Sequence, residues 1–188
     1  MTRHILTGPP GAGKTVILRG LERAGLAVVE EAATDVIAWA QANGDDAPWE
    51  RPDFTDTILD LQQQRAARAP AGPVIFDRSP VCTLALARFL GRVPLPGLQA
   101  AAEAARERYD PRVFFVEGLP TIINTAARRI TLEDARRFGA LHRQVYAELG
   151  FDLIDVPPAS ARDRVARVLA ILPSAASAPG TSAPGPCG

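Results

Sequence analysis

The stretch from Gly8 to Thr15 constrains the fold more strongly than any other part of this 188-residue chain. Its sequence, GPPGAGKT, fits G-x-x-x-x-G-K-[ST], the pattern of a phosphate-binding loop. The apolar residues from His4 to Thr7 predict a buried strand before the loop, and helical spacing follows it from Val16 to Leu21. The motif therefore has the strand and helix that it requires on either side.

The residue types of this loop suit the phosphates of a nucleotide such as ATP. Glycines permit backbone conformations closed to other residues, so successive N–H groups can surround a phosphate at the positive end of a helix. We expect Lys14 to contact the β- and γ-phosphates and the Thr15 hydroxyl to bind Mg²⁺. The predicted nucleotide contacts are Gly8, Pro9, Pro10, Gly11, Ala12, Gly13, Lys14, Thr15, Val16 and, from a later loop, Pro157.

Lys14 is the only lysine among the 21 basic residues of the chain. A compact ammonium group fits inside a closed backbone loop, whereas the planar guanidinium of arginine does not. The single lysine therefore falls at the position where arginine cannot replace it.

Predicted strands alternate with predicted helices along the chain, and this alternation indicates a parallel, doubly wound α/β sheet. One domain is expected over residues 1–172. From Pro173 onward Ser, Ala, Pro and Gly alternate without a hydrophobic pattern, so residues 173–188 are predicted to be a disordered tail.

The composition argues against some kinds of binding partner and indicates a cellular location. The formal net charge is zero, which argues against nucleic acid or a membrane surface as the main partner. Two cysteines are too few for a disulfide framework or a zinc site. With no secretory signal and no apolar run of membrane-spanning length, a cytoplasmic protein is expected. The oligomeric state stays open.

Charged residues follow two of the predicted strands, at the edge where parallel sheets bind ligands. Glu30 and Glu31 follow the second strand, and either could serve the site, although a solvated acidic helix N-terminus is an alternative. Asp77 follows the third strand and is expected to hold Mg²⁺ if that strand neighbours the first. Arg78 would then clamp a phosphate or carboxylate, whereas the alternative is a helix-capping Asp beside a surface Arg.

Two arginine pairs flank a later helix start. Arg128 and Arg129 precede the capping signature at 131–134, and Arg136 and Arg137 follow it. Such a segment can close over a nucleotide and stabilise the transferring phosphoryl group. A solvated basic face is the alternative, favoured for the second pair and disfavoured for the first.

Three aromatic residues, Trp39, Trp49 and Phe54, lie between the second and third predicted strands. They either line a pocket for a phosphate acceptor or pin an insert onto the domain.

The motifs together resemble the small AAA-type "ATPase domain 28" family, a kinase-like branch of the phosphate-loop proteins near the ribosylnicotinamide kinases and deoxynucleoside kinases. The resemblance covers residues 3 to about 172. It is carried by the segments GPPGAGKT, VVEEAAT, FDRS, YDPRVFFVE, ARRITLEDARRFGALHRQVYAELGF and DLIDVPPASARDRVARVL.

The resemblance implies a three-layer fold with a five-stranded parallel sheet in the order 2-3-1-4-5, helices on both faces and an arginine-bearing helical lid. It also implies that Glu31 is the general base for an acceptor hydroxyl and that Asp77 and Arg78 handle metal and phosphates. Glu30 remains a competitor for the base.

The leading functional hypothesis is therefore an ATP-dependent kinase that phosphorylates a small hydroxylated metabolite, such as a nucleoside-like molecule, a polyol or an antibiotic. The alternative is a nucleotide-dependent regulatory NTPase, which needs no acceptor pocket. The expected catalytic residues are Lys14, Glu31, Asp77, Arg78, Arg128 and Arg129, with Thr15 and Asp77 as metal ligands.

Overall fold

A five-stranded parallel sheet forms the centre of the computed structural model, which describes residues 2–118 and 131–173. The strands, β1 to β5 in chain order, are Arg3–Thr7, Ala27–Val29, Val74–Asp77, Arg112–Val116 and Asp152–Val156. Their spatial order is β2-β3-β1-β4-β5, which confirms the predicted sheet. Leu6 in β1 is in register with Asp77 in β3, so the acid lies beside the strand that enters the phosphate loop, as expected.

Eight helices occur in the described ranges. In chain order, α1 to α8 are Lys14–Arg23, Ala32–Ala42, Phe54–Arg68, Pro80–Phe89, Pro96–Glu103, Ala105–Arg108, Leu132–Glu148 and Ala161–Ile171. A single 3-10 turn, Pro48–Glu50, precedes α3. Within these same ranges, no helix is both long and apolar enough to cross a membrane.

One predicted helix is divided in two. The alanine-rich sequence of residues 98–109 predicts one helix, but α5 ends before Ala104 and α6 begins after it. At Ala104 ψ is −8°, far from the value of about −42° that continues an α-helix. The prediction of one helix is wrong at this point.

Helices cover both faces of the sheet and give the molecule three layers. On one face, α1 and α8 pack together over apolar residues that include Leu6, Ile17, Leu18, Leu21 and Val168. On the other face, α4 and α7 bury a larger cluster that includes Ile5, Val81, Leu84, Val113 and Tyr146. Alternate residues of β1 thus supply the two cores, as expected for a strand covered on both faces.

The segment containing α2, the 3-10 turn and α3 forms a third, smaller apolar cluster. Ala32, Phe54 and Ile58 are buried in it, and Trp49 packs against them. Trp39 is 75% exposed and, among the described residues, belongs neither to this cluster nor to the lining of the two cavities described below. The described part of the structure supports neither sequence-based interpretation of Trp39.

Candidate active site

The phosphate loop connects the end of β1 to the first turn of α1. Gly8, Gly11 and Gly13 have φ values of 142°, 77° and 82°, a region that side chains strongly disfavour. At Gly8 the restriction is also steric, because a Cβ there would lie 2.2 Å from the carbonyl oxygen of Val116 in β4. The loop backbone therefore depends on glycine at these positions.

Lys14 is buried at the start of α1, and its ammonium group donates a hydrogen bond to the carbonyl oxygen of Pro9 at 3.0 Å. The side chain is thereby held across the loop, in the position from which an ammonium group can reach a phosphate seated on the loop.

The donor set beside the loop suits a magnesium nucleotide. Thr15 is exposed in the first turn of α1, and Asp77 is buried at the end of β3, next to β1. A hydroxyl and a carboxylate are the hard oxygen ligands that Mg²⁺ takes, in addition to phosphate oxygens and water. These residues therefore fit the predicted cofactors.

Arg164 in α8 secures the same loop, and nothing in the sequence pattern singled it out. Its guanidinium group is buried and donates to the carbonyl oxygen of Ala12 at 2.9 Å and to that of Glu117 at 3.1 Å. It also lies against Gly13, where a Cβ would be 3.3 Å from its Nη1 atom. Arg164 thus ties the phosphate loop to the end of β4.

The Glu31 and Arg78 side chains form an ion pair between the ends of β2 and β3. Nε of Arg78 donates to Oε1 of Glu31, and the Thr34 hydroxyl donates to Oε2 of Glu31 at 2.9 Å. Both charged side chains are largely buried, at 9% exposure for Arg78 and 13% for Glu31. The alternative of a surface arginine at position 78 is therefore wrong.

Arg78 combines an unusual backbone with a stabilised charge. Its φ of 76° is positive, which is rare for a residue with a side chain and costs about 1–3 kcal/mol. Burial acts to lower the pKa of Arg78, but nearby acidic groups, Glu31 first and then Cys82 and Asp77, together outweigh it, and the pKa lies above the usual range. Strained residues of this kind cluster at functional sites.

The adjacent Glu30 faces away from this pair. Its exposed carboxylate is bonded to Arg19 on α1. Arg65 of α3 donates to the backbone carbonyl oxygens of both residues, at 3.0 Å for Glu30 and 2.7 Å for Glu31. This anchoring fixes the chain so that only the second glutamate turns inward.

A cavity of about 430 Å³ opens beside Glu31 and Arg78, and Pro10 of the phosphate loop forms part of its wall. We call it the first cavity. Trp49 and Phe54 line it, as one of the two interpretations expected. Much of the remaining wall is apolar, and includes Ile37, Ile58, Leu86 and Phe89.

Helix α7 roofs the first cavity. Thr131 caps the helix by accepting a hydrogen bond from the backbone N–H of Asp134, as the capping signature predicted. Asp134 and Arg137 line the cavity, and Nη2 of Arg137 lies 3.6 Å from Oδ1 of Asp134. Arg137 is exposed, as favoured from the sequence, but it also lies over the ring of Phe89.

His142 of α7 is fully buried close to this site and was not recognised from the sequence. Its ring stacks on Phe138, with 4.2 Å between ring centres. Burial is the main reason that the pKa of His142 lies well below its usual range, and the charges of Arg78 and Lys14 lower it further. The imidazole is therefore neutral.

A buried polar network lies beneath the site. The Tyr146 hydroxyl is 2.8 Å from the Ser79 hydroxyl and 3.1 Å from the Cys82 thiol, which is in turn 3.1 Å from the Thr7 hydroxyl. Burial raises the pKa of Tyr146 well above its usual range, so this side chain stays protonated. The network joins β1, α4 and α7 at the floor of the site.

A second cavity, of about 560 Å³, lies on the other side of the phosphate loop, and Pro10 lines both. Its wall includes Pro9, Glu117, Arg136 and Arg143. Pro158 lines it, whereas Pro157, the residue selected from the sequence, does not. Arg128 and Arg129 lie outside the described residues.

The sheet order, the phosphate loop and the acid at the end of β3 define a phosphate-loop nucleotide-binding protein with a kinase-like fold. The chain belongs to the AAA_28 family: the family's model, described as an AAA domain, matches residues 3–164. The resemblance inferred from the motifs is thereby confirmed.

Solved structures with a similar fold include several kinases. A shikimate kinase from Acinetobacter baumannii in complex with shikimate is 17% identical with TM-score 0.53, covering 90% of this chain and 91% of that one. A deoxyadenosine kinase from M. mycoides with bound dCTP is 14% identical with TM-score 0.56, covering 90% and 97%. A thymidylate kinase from Ehrlichia chaffeensis is 12% identical with TM-score 0.54, covering 91% and 99%. At such identities the likeness shows the fold alone, and no curated protein matches the chain.

Proposed function

We propose that this protein is an ATP-dependent kinase that transfers the γ-phosphate of ATP to a hydroxyl group of a small molecule. The chief support is the first cavity, which brings the Glu31 and Arg78 pair and Pro10 of the phosphate loop to one concave surface. A kinase needs a pocket for its acceptor at this place, whereas a nucleotide switch does not.

In the proposed reaction, the acceptor hydroxyl lies against Glu31 and loses its proton to that carboxylate. The acceptor oxygen forms a bond to the γ-phosphorus, the bond from that phosphorus to the β,γ-bridging oxygen breaks, and ADP leaves. Lys14 and Arg78 stabilise the negative charge of the transferring group. Mg²⁺ held by Thr15 and Asp77 would supply further charge neutralisation. Arg128 and Arg129, selected from the sequence, are further candidates for this role.

ATP would seat its phosphates on the backbone of residues 8–16 and its base near Pro157 and Pro158. The second cavity extends from Pro9 and Pro10 of the loop to Pro158, which supports this placement. Catalysis would then consist mainly of positioning and electrostatic stabilisation.

A regulatory NTPase is the second candidate, and one contact favours it. Helix α7 lies directly on the phosphate loop, because a Cβ on Gly139 would be 3.4 Å from Cβ of Pro9. A nucleotide that shifts the loop would therefore also move α7, as a conformational switch requires.

Turnover with and without an acceptor distinguishes the two functions. Purified protein is incubated with ATP, Mg²⁺ and a panel of nucleosides, sugars and aminoglycosides, and ADP release is followed. A kinase releases ADP faster with its acceptor and yields a phosphorylated product. Tight ATP binding with no acceptor effect would favour the switch.

Glu31→Gln tests the proposed base, and Glu30→Gln is the matched control. Removing the base should lower the transfer rate about 10²–10⁴-fold while ATP affinity stays nearly unchanged. Glu30→Gln should retain the rate, because its carboxylate faces Arg19 and not the cavity. Loss of ATP binding in Glu31→Gln would instead give Glu31 a structural role, and loss of transfer in Glu30→Gln would make Glu30 the base.

A further inference from the structure

The charges on the wall of the first cavity are balanced. Its described lining contains two acidic residues, Glu31 and Asp134, and two basic residues, Arg78 and Arg137. Each acid is paired with one of the arginines, Glu31 with Arg78 and Asp134 with Arg137. An acceptor with its own negative charge would therefore meet no surplus of positive charge on this part of the wall, and its desolvation would go uncompensated.

The shape of the wall favours a flat, apolar body. Trp49, Phe54 and Phe89 contribute rings, and Ile37, Ile58 and Leu86 contribute aliphatic surface. A molecule with hydroxyls all around its ring would leave several of them without partners against this surface, and each such hydroxyl would weaken binding. An aromatic or unsaturated ring would instead bury its faces favourably.

One polar edge in this wall has a fixed orientation. Nε2 of Gln62 donates to the backbone carbonyl oxygen of Ser79 at 3.3 Å, and the Thr83 hydroxyl donates to Oε1 of Gln62 at 3.0 Å. Since a carbonyl oxygen can only accept, the nitrogen of the amide must be the atom that faces Ser79. Gln62 lines the first cavity and also a neighbouring one, and it keeps one N–H and one oxygen lone pair that these two bonds do not use. A ligand edge that both donates and accepts, such as an amide, can satisfy both of them.

We infer that the first cavity takes an uncharged, hydroxylated molecule with a flat, largely apolar ring and an amide-like edge that pairs with Gln62. The inference rests on the proposed function for the identity of the cavity as the acceptor site. It disfavours anionic acceptors, such as phosphomonoesters and carboxylic acids, and polyols without an apolar face.

The fluorescence of Trp49 can report whether the first cavity is occupied, without any measurement of phosphoryl transfer. The chain has two tryptophans, and Trp39 is exposed and does not line the cavity. In a Trp39→Phe variant, the fluorescence of Trp49 alone therefore reports binding. Four probe molecules distinguish the effect of ligand charge from that of ligand shape. Thymidine has a planar ring and is neutral, whereas thymidine 5′-monophosphate has the same ring and is anionic. Myo-inositol is a neutral polyol, and shikimate is an anionic polyol.

Thymidine should alter the emission of Trp49 and bind at least about tenfold more tightly than each of the other three probes, which corresponds to about 1.4 kcal/mol. Equal or tighter binding of thymidine 5′-monophosphate would overturn the inference about charge. Equal or tighter binding of either polyol would overturn the inference about shape, and a failure of all four probes to bind would overturn both.

Gln62→Leu, in the same Trp39→Phe background, tests the polar edge. The affinity for thymidine should fall about tenfold, because the ring edge loses its hydrogen-bond partners. The control is Gln63→Leu, which changes the exposed neighbour on α3 and should leave the affinity unchanged. Unchanged affinity in Gln62→Leu would remove the amide-like edge from the inference.

The two proposals fail in different ways. If thymidine binds at Trp49 but no acceptor of the panel raises ADP release, the kinase function is wrong and the inference about what the cavity binds stands. If phosphoryl transfer occurs but only to anionic acceptors or polyols, the kinase function stands and the inference is wrong.

Discussion

Gly8 occupies a position that is restricted by both its backbone and its surroundings. Its φ is 142°, and a Cβ would lie 2.2 Å from the backbone oxygen of Val116. Gly8→Ala should therefore lower the free energy of unfolding by about 3 kcal/mol or more, measured by chemical denaturation. Gly25→Ala is the control, because Gly25 also has positive φ but open space around its Cβ position, and about 1–2 kcal/mol is expected. Equal losses would show that the contact with Val116 is unimportant.

His142 makes stability depend on pH. Its pKa is lowered in the folded protein, so the unfolded chain binds a proton below about pH 6.5 that the folded protein does not. The contribution of neutral His142 to the free energy of unfolding is fully present above this pH. It is lost as the pH falls, by up to about 1.4 kcal/mol per pH unit. The free energy of unfolding, measured between about pH 7.5 and 5.5, should fall less steeply in His142→Phe than in the parent. His4, whose pKa burial also lowers, accounts for part of the slope that remains. Identical slopes would contradict this role for His142.

Some residues of the candidate site could be identified from the sequence, and others only from the structure. Glu31, Asp77 and Arg78 lie at or just after the carboxyl ends of short apolar strands. These ends meet at one edge of a parallel sheet, so the local sequence pattern was enough to select the three residues. Gln62, His142 and Arg164 lie within helices and reach the site only through packing between distant parts of the chain. Nothing in their own sequence neighbourhoods separates them from ordinary helix residues.

At the scale of elements, two helical glycines have opposite surroundings. In α1, a Cβ on Gly20 would lie 2.5 Å from Cγ2 of Val165 in α8, whereas in α7 a Cβ on Gly139 would make ordinary contact with Pro9 at 3.4 Å. Gly20→Ala should destabilise the protein by about 1–3 kcal/mol through overpacking. Gly139→Ala should be neutral or stabilise it by up to about 1 kcal/mol, because alanine is the better helix former. Thermal and chemical denaturation would measure both.

A second substitution tests the cause. In Gly20→Ala with Val165→Ala, the crowding methyl group is gone, so the double variant should lose less stability than the two single variants together. Simple additivity would mean that the α1 and α8 helices are not in close contact at this point.

The helices and strands themselves were largely predictable. The phosphate-loop motif marks where β1 ends and α1 begins, and short apolar runs between helical segments mark the other strands. For helix α2, the helical spacing of the sequence predicts residues Ala32–Ala42, and the helix has these bounds. The break between α5 and α6 at Ala104 was not predictable from the sequence. Alanine favours helix on both sides of this residue, and the sequence carries no stop signal there.

At the scale of the whole molecule, the proposed binding of ATP would be linked to stability. A ligand that binds only the folded state at about 100 times its Kd stabilises that state by about 2.7 kcal/mol. ATP with Mg²⁺ should therefore raise the midpoint of thermal unfolding of the parent and of Glu31→Gln. It should not do so for Lys14→Ala, which lacks the ammonium group of the phosphate loop. An equal rise in Lys14→Ala would show that nucleotide does not bind through this loop.

Lys14, buried and bonded to Pro9, is also the only side-chain amine in the protein. Reagents that acylate amines can therefore modify the phosphate loop and no other side-chain amine. A label on Lys14 would count open loops directly, and bound nucleotide should protect it. Because the terminal α-amine also reacts, peptide mass mapping is needed to measure the label on Lys14 itself, and it reports the occupancy of the loop without any engineered substitution.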